Sequence, residues 1–411
     1  MRHLAFYKEL AKCPDEVCDV WRTVAAGLLV LRYFDWWLTD GPGITLDQGA
    51  STRLAQALEE IPRSARPARR LLQHAVSLIT ASPNDDPTLA VGPLLGYARY
   101  LEEQRSDHLA ADVLLSVIDA LMPLHAQYDP HTPTIALLRL ANIQRRTGAF
   151  DDAAVNYERA IALANTIDDR SVLLTVQLWR AGLWRDRGNL GDAELEYTQL
   201  LSLATDLPHL RSMLLRGRGA THQRRGQADD AIRDLYEAFT LAQSDADREV
   251  ILGDLASCAA DSGLRTLARQ IHESLAIHAR GAVARAYALA NCFEHAIVDG
   301  DQVRYRELRH RLRTQCDFSA LPGELELHVA YLSARGLERF GGADVALAAY
   351  DDVATHAHQA KRFHIEHEAR SRIDALRAGT AAAMTPAVRE LPPSLDDIAK
   401  AVTTLRVHVT S

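Results

Sequence analysis

Six titratable side chains crowd one stretch near the end of the chain: His356, His358, His364, Glu366, His367 and Glu368. On a helix His364 and His367 are spaced i,i+3 and Glu368 lies one turn from His364, so two imidazoles and a carboxylate share a face that could meet a transition metal. No third ligand is assured by the spacing, and a solvated helix face is the other reading of the same residues. No phosphate-binding loop, dinucleotide glycine motif, Gly-x-Ser-x-Gly elbow or His-Glu-x-x-His helix occurs among the 411 residues, so neither an enzyme nor a bound cofactor is expected.

Arginine carries the other chemistry. Lys8, Lys12, Lys361 and Lys400 are the only lysines among 46 basic residues, so almost every cation is a planar fork able to grip a carboxylate or phosphate bidentately. A GC-rich genome explains the same ratio. The net charge of −8 argues against a general binder of nucleic acid or anionic membrane, which leaves charge to be read locally. Arg53, Arg63, Arg66, Arg69 and Arg70 form one basic stretch, but Pro62 and Pro67 interrupt it, so a DNA-recognition helix is not expected there.

The elements that position these groups follow from a repeat. Glycine recurs at Gly148, Gly188, Gly226, Gly263, Gly300 and Gly341, at separations of 40, 38, 37, 37 and 41 residues. Such a period marks stacked supersecondary units. Five residues after the glycine stand Ala153, Ala193, Ala231, Ala268 and Ala346, with Tyr305 breaking the series in the Gly300 unit. Nine residues after it come Tyr157, Tyr197, Leu235, His272 and Tyr350, and sixteen after it Ala164, Ala204, Ala242, Ala279, Cys316 and Ala357. These offsets share one helical face. Seven residues before the glycine, Ala141, Ala181, Gly219, Ala256 and Ala334 place a small residue on a preceding helix. Each unit therefore reads as a helix hairpin, and one more fits upstream with Arg105 in the glycine's place.

Composition agrees. Aromatics make up 6% of the chain, and 22 glycines and 15 prolines are too few for an all-β protein of this length. Cys13, Cys18, Cys258, Cys292 and Cys316 are odd in number and scattered, unlike a disulfide framework or a zinc site, which suits thiols buried in a reducing cytoplasm. The start of the chain lacks a signal peptide's apolar stretch, and the run Val24 to Leu31 is too short for a membrane span.

The series small residue, turn glycine, alanine, aromatic, alanine, as in Leu140-Ala141, Gly148, Ala153, Tyr157 and Ala160, resembles the tetratricopeptide repeat. The resemblance covers about residues 92 to 375. It implies an all-α fold: a right-handed superhelix, or solenoid, of helix hairpins with an N-terminal helical cap. An armadillo- or HEAT-like array is the alternative for periods longer than the usual 34 residues, and Arg180 and Arg218 stand where the pattern is normally apolar. We expect a cap over residues 1–88, the solenoid over 89–375, and a linker with a C-terminal capping helix over 376–411. The cap would hold Trp21, Tyr33, Phe34, Trp36 and Trp37 ahead of a break at Gly41-Pro42-Gly43. The linker would run from Ala378 to Ser394 and the capping helix from Leu395 to Val407.

Charge divides between the two helices of a hairpin. First helices over 134–147, 171–187 and 209–225 carry +3, +2 and +5, whereas second helices over 150–169, 189–206 and 227–247 carry −4, −4 and −5. In the family, first helices line the concave surface, so the resemblance implies a basic groove inside an acidic shell. Its lining would include Asn142, Arg145, Arg185, Arg216, Gln223 and Arg224, and its ligand would be an acidic peptide segment or C-terminus of a partner protein. The same charges also suit helix dipoles and pairing between neighbouring units. The expected function is a non-enzymatic, cytoplasmic interaction scaffold of bacterial type. A regulator whose repeats sense a peptide or small ligand, and a metal-dependent activity at the histidine cluster, are the alternatives.

Overall fold

The computed structural model describes residues 2–12, 19–40, 48–81, 87–122, 129–318, 321, 323–360, 362–380, 395, 397, 398 and 400. Cys13, Cys18, the Gly41-Pro42-Gly43 break, residues 381–394 of the expected linker and 401–407 of the expected capping helix lie outside the described residues.

Nineteen α-helices and no strand are found among the described residues. Contacts divide the chain into two bodies, residues 1–193 and 194–411. The first holds α1 (Leu4–Lys12), α2 (Asp19–Asp40), α3 (Gln48–Glu59), α4 (Arg66–Ala81), α5 (Val91–Glu103), α6 (Asp107–Leu121), α7 (His131–Arg146), α8 (Phe150–Ala164), α9 (Arg170–Arg187) and the start of α10 (Leu190–Leu203). The second holds the rest of α10, then α11 (Pro208–Arg224), α12 (Ala228–Leu241), α13 (Asp245–Asp261), α14 (Arg265–His278), α15 (Ala282–Asp299), α16 (Gln302–Gln315), α17 (Gly323–Phe340), α18 (Ala343–Gln359) and α19 (Phe363–Arg377). No described helix is long and apolar enough to cross a membrane.

Helix stops recur because one turn recurs. At Gly188 the backbone enters the left-handed region, with φ of 88°, and the amide of Asn189 donates back to the carbonyl of Trp184 at 2.9 Å. That bond closes a Schellman turn. Equivalent turns follow Gly148, Gly226, Gly263 and Gly300. Arg105 takes the same conformation without being glycine, φ 59°, and Ser106 donates to Leu101 at 2.9 Å. The final unit keeps the register, since α18 begins two residues after Gly341 and the amide of Gly342 donates back to Leu337 at 3.0 Å, but there the positive φ falls on Gly342 rather than Gly341.

The small positions are the seams between helices. Ala141, Ala153 and Ala160 are fully buried, as are Ala181, Ala193, Ala256 and Ala268. At Gly219 an added β-carbon would lie 3.0 Å from Leu235 and 3.3 Å from the Ala231 carbonyl, so α11 and α12 approach nearly backbone to backbone. The large residue nine positions after the turn fills the space beside each seam: Tyr157, Tyr197, Leu235, His272 and Tyr350 are all buried.

In the first body one apolar core runs from Phe6 on α1 through Leu183 on α9, so α1 to α4 share it with the first hairpins. Trp37 is buried in that core, while Trp36 lies against Tyr33 at its edge. His3 and Arg2 both pair with Asp35 of α2, at 3.0 and 3.1 Å, and the Asp112 carboxylate of α6 accepts from the amide of Ala5 at 3.0 Å. In the second body, α12 to α17 enclose a core that also takes in Leu395 and Ile398, while α17 to α19 enclose a separate one.

Cys258 and Cys292 are buried free thiols, and burial pushes them up to about 11 and about 12.

Candidate functional site

Each of the six residues expected to line a groove sits on a first helix, in one body or the other. In the first body Asn142 and Arg145 lie on α7 and Arg185 on α9. Arg145 and Arg185 converge on one carboxylate, Asp186: Arg145 pairs with Oδ2, and the Nε of Arg185 donates to Oδ1 at 3.2 Å. Arg145 is 11% exposed and its guanidinium lies 5.6 Å from the centroid of Trp179, so packing and cation–π attraction hold it as much as charge does. Asn142 accepts from the Tyr157 hydroxyl at 2.7 Å, which fastens α7 to α8.

In the second body Arg216, Gln223 and Arg224 lie on α11. The Nε of Arg216 donates to Asp254 of α13 at 2.6 Å, and Gln223 donates to Asp261 of the same helix at 2.7 Å. Arg216 keeps 45% of its side chain exposed, and Arg224 is exposed as well. The same kind of contact returns further along, where Arg335 of α17 pairs with Glu294 of α15.

The partners of these residues, Asp186, Asp254 and Asp261, stand 41, 38 and 38 residues after Arg145, Arg216 and Gln223. A first helix therefore offers its cation to the acid at the matching level of the next first helix. Charge sums over single helices do not register this, but the repeat spacing applied to the acids does.

Second-helix acids are engaged too. Arg218 grips Asp234 bidentately at 2.7 and 2.8 Å, and Arg180 reaches Glu158 at 2.9 Å, which is why arginine stands at two places where the repeat pattern is normally apolar. Arg187 pairs with Asp151 at 2.6 Å and Arg211 with Glu237 at 2.8 Å.

The alternation of charge also reverses along the second body. First helix α13 carries Asp245, Asp247, Glu249, Asp254 and Asp261 against Arg248. Second helix α16 carries Arg304, Arg306, Arg309, Arg311 and Arg313 against Glu307. The basic first-helix stretch is thus bounded, ending at α11.

The histidine cluster is spread over α18 and α19. His358 meets Glu366 at 3.0 Å, His364 lies 3.8 Å from Glu324, and His356 hydrogen-bonds the carbonyl of Asp352 at 2.8 Å. Among the described residues no three histidine, cysteine or acidic side chains converge as a metal site would require.

No protein-family model matches the chain, and comparison with curated proteins finds no relative. Among solved structures, a Rap protein complexed with Competence and Sporulation Factor is similar over 86% of this chain and 99% of its own, at 12% identity and a TM-score of 0.44. Aspartyl phosphate phosphatase F from Bacillus subtilis is similar over 89% and 97%, at 15% identity and a TM-score of 0.38. BtubC from P. vanneervenii is similar over 55% and 94%, at 18% identity and a TM-score of 0.42. With its recurring left-handed turns and alanine seams, the chain is an all-α protein built of repeated helix hairpins.

Proposed function

We propose that the chain is a non-enzymatic interaction scaffold whose first-helix faces bind an acidic segment or C-terminus of a partner protein. The observation that carries this reading is the state of Arg216. Asp254 holds it through Nε alone, and nearly half of the side chain remains exposed. A guanidinium fixed along one edge presents its other edge already oriented, so little side-chain entropy is lost when a second carboxylate arrives. In the second body Arg224 serves as a further anchor, with Gln223 as a neutral donor, and in the first body Arg185 is an anchor of its own. Arg145, being buried against Trp179, positions Asp186 and Arg185. Asn142 keeps the α7–α8 seam in place beside it.

The test is capture of partner protein by immobilised full-length chain. Arg185→Glu, Arg216→Glu and Arg224→Glu combined are expected to abolish capture while the helical circular dichroism is retained. Arg233→Glu, on the second helix α12, should leave capture intact. Equal capture by the triple variant overturns the acidic-segment reading.

A further inference from the structure

The second body contains an open cavity of about 740 Å³ between α16, α17 and α18. That volume lies within the range of about 300–1,000 Å³ usual for small-ligand pockets. Its floor is apolar, made by Leu327, Ala330, Ala334 and Leu337 of α17 with Ala349 and Val353 of α18. From α16 only Arg309 and Arg313 face it. Spaced i,i+4, they stand on one side of the helix one turn apart.

The cavity lies beside a break in the repeat. Tyr305 occupies the position that holds alanine in the hairpins after Gly148, Gly188, Gly226 and Gly263. Its ring takes the space beside Gly336 and stacks on Phe293 at 5.0 Å between centroids. The ring lies between α16 and α17, and the two helices touch only sparsely, whereas α17 packs more closely on α15 and α18. One and two turns further along α16, the gap is where Arg309 and Arg313 emerge.

Their electrostatic situation differs from that of the arginines already described. Neither Arg309 nor Arg313 makes an ion pair among the described residues, and the Nε of Arg309 is buried without a hydrogen-bond acceptor. A buried guanidinium nitrogen left unsatisfied is costly, and the cavity is the space from which an acceptor could come. Of the acids around the opening, Glu324 is engaged by Arg362 and His364 at 3.8 Å each, while Glu326 and Asp352 also line the cavity. Those two carboxylates disfavour a polyanion but leave room for a single negative charge held against α16.

We propose that this cavity binds a monocarboxylate with an apolar body, its carboxylate taken by Arg309 and Arg313 and its body lying on the floor formed by α17 and α18. The site shares no residue with Arg185, Arg216, Gln223 or Arg224, so carboxylate binding and partner capture can fail independently.

Titration calorimetry of the full chain with octanoate tests the assignment, with 1-octanol and inorganic phosphate as comparison ligands. Octanoate is expected to bind saturably at one site per chain, at least tenfold more tightly than octanol, with no phosphate binding. Arg309→Gln should weaken it about tenfold and Ala330→Phe, which fills the floor, should abolish it. Arg313 is exposed and makes no ion pair among the described residues, so Arg313→Gln keeps the fold intact and should weaken binding about fivefold. Lack of saturable octanoate binding to the native chain, equal affinity for octanol or phosphate, or unchanged affinity in Arg313→Gln would overturn the proposal.

Discussion

Gly336 of α17 and Tyr305 of α16 occupy one another's space: a β-carbon on the glycine would fall within the tyrosine ring. Tyr305 stands where the other second helices carry alanine, as at Ala153 or Ala268, and a tyrosine of one helix likewise meets a glycine of the next at Tyr197 and Gly217. Gly336→Ala should therefore destabilise the second body by about 1–3 kcal/mol, despite the helix propensity gained, because overpacking exceeds it. Tyr305→Ala should cost about 3–5 kcal/mol through the void it leaves. Combined, the two changes should cost less than their sum, since removing the tyrosine ring opens the space that the added β-carbon needs. Urea unfolding of the four proteins measures the coupling, and strict additivity would mean that the two residues do not compete for one space.

Arg105 supports the turn between α5 and α6 in a conformation that suits glycine, φ 59°, and its side chain makes no hydrogen bond or ion pair among the described residues. Relief of that strain should make Arg105→Gly stabilising by about 1 kcal/mol, where most glycine substitutions destabilise. The reverse change, Gly188→Ala at φ 88°, should cost about 1–2 kcal/mol. Thermal denaturation of the two variants should move the midpoint in opposite directions.

These turns show what a single chain discloses and what it withholds. Gly188, Ala193 and Tyr197 are readable because a left-handed stop, a close seam and a bulky filler each restrict residue type, and the restriction returns at a fixed spacing. Arg105 is readable from that spacing even though its type is wrong. That the positive φ of the last turn falls on Gly342 rather than Gly341 is not, since two adjacent glycines satisfy the pattern equally. At the candidate site, Arg145 and Arg216 are legible as first-helix cations. Their engagement with Asp186 and Asp254 is a relation between successive hairpins, invisible when charge is summed helix by helix. The cavity at Arg309 lies beside a sparse contact between α16 and α17, a relation between helices that no local pattern encodes.

Arg218 and Asp234 form a bidentate pair across the α11–α12 seam, with Asp234 9% exposed. Arg218→Leu should cost about 3 kcal/mol, because it leaves a largely desolvated carboxylate without its bidentate partner and with His222 beside it at 3.6 Å. Arg218→Leu with Asp234→Leu should recover most of that loss, since an apolar pair can replace a buried ion pair. Denaturant midpoints of the single and double variants decide it: a double variant no more stable than the single would show that Asp234 is not stranded.

His272 of α14 and His295 of α15 share a hydrogen bond of 3.1 Å, and burial, followed by the proximity of His295, lowers His272 to about 3. Burial lowers His295 as well, with Glu294 and Asp299 opposing and Arg265 and Arg269 assisting. The folded chain therefore keeps His272 neutral at pH values where the unfolded chain binds a proton. Between about pH 6.5 and 3 the unfolded state holds more protons, so stability is complete above the unfolded value and declines as the solution is acidified. The contribution of His272 approaches about 1.4 kcal/mol per pH unit within that window. Leu235 fills the corresponding place two hairpin helices earlier, on α12, so His272→Leu keeps a residue that this seam accepts. Chemical unfolding at pH 7.5, 6 and 5 should show the native protein losing stability more steeply than His272→Leu. Parallel curves over that range would show that His272 does not titrate between the two states.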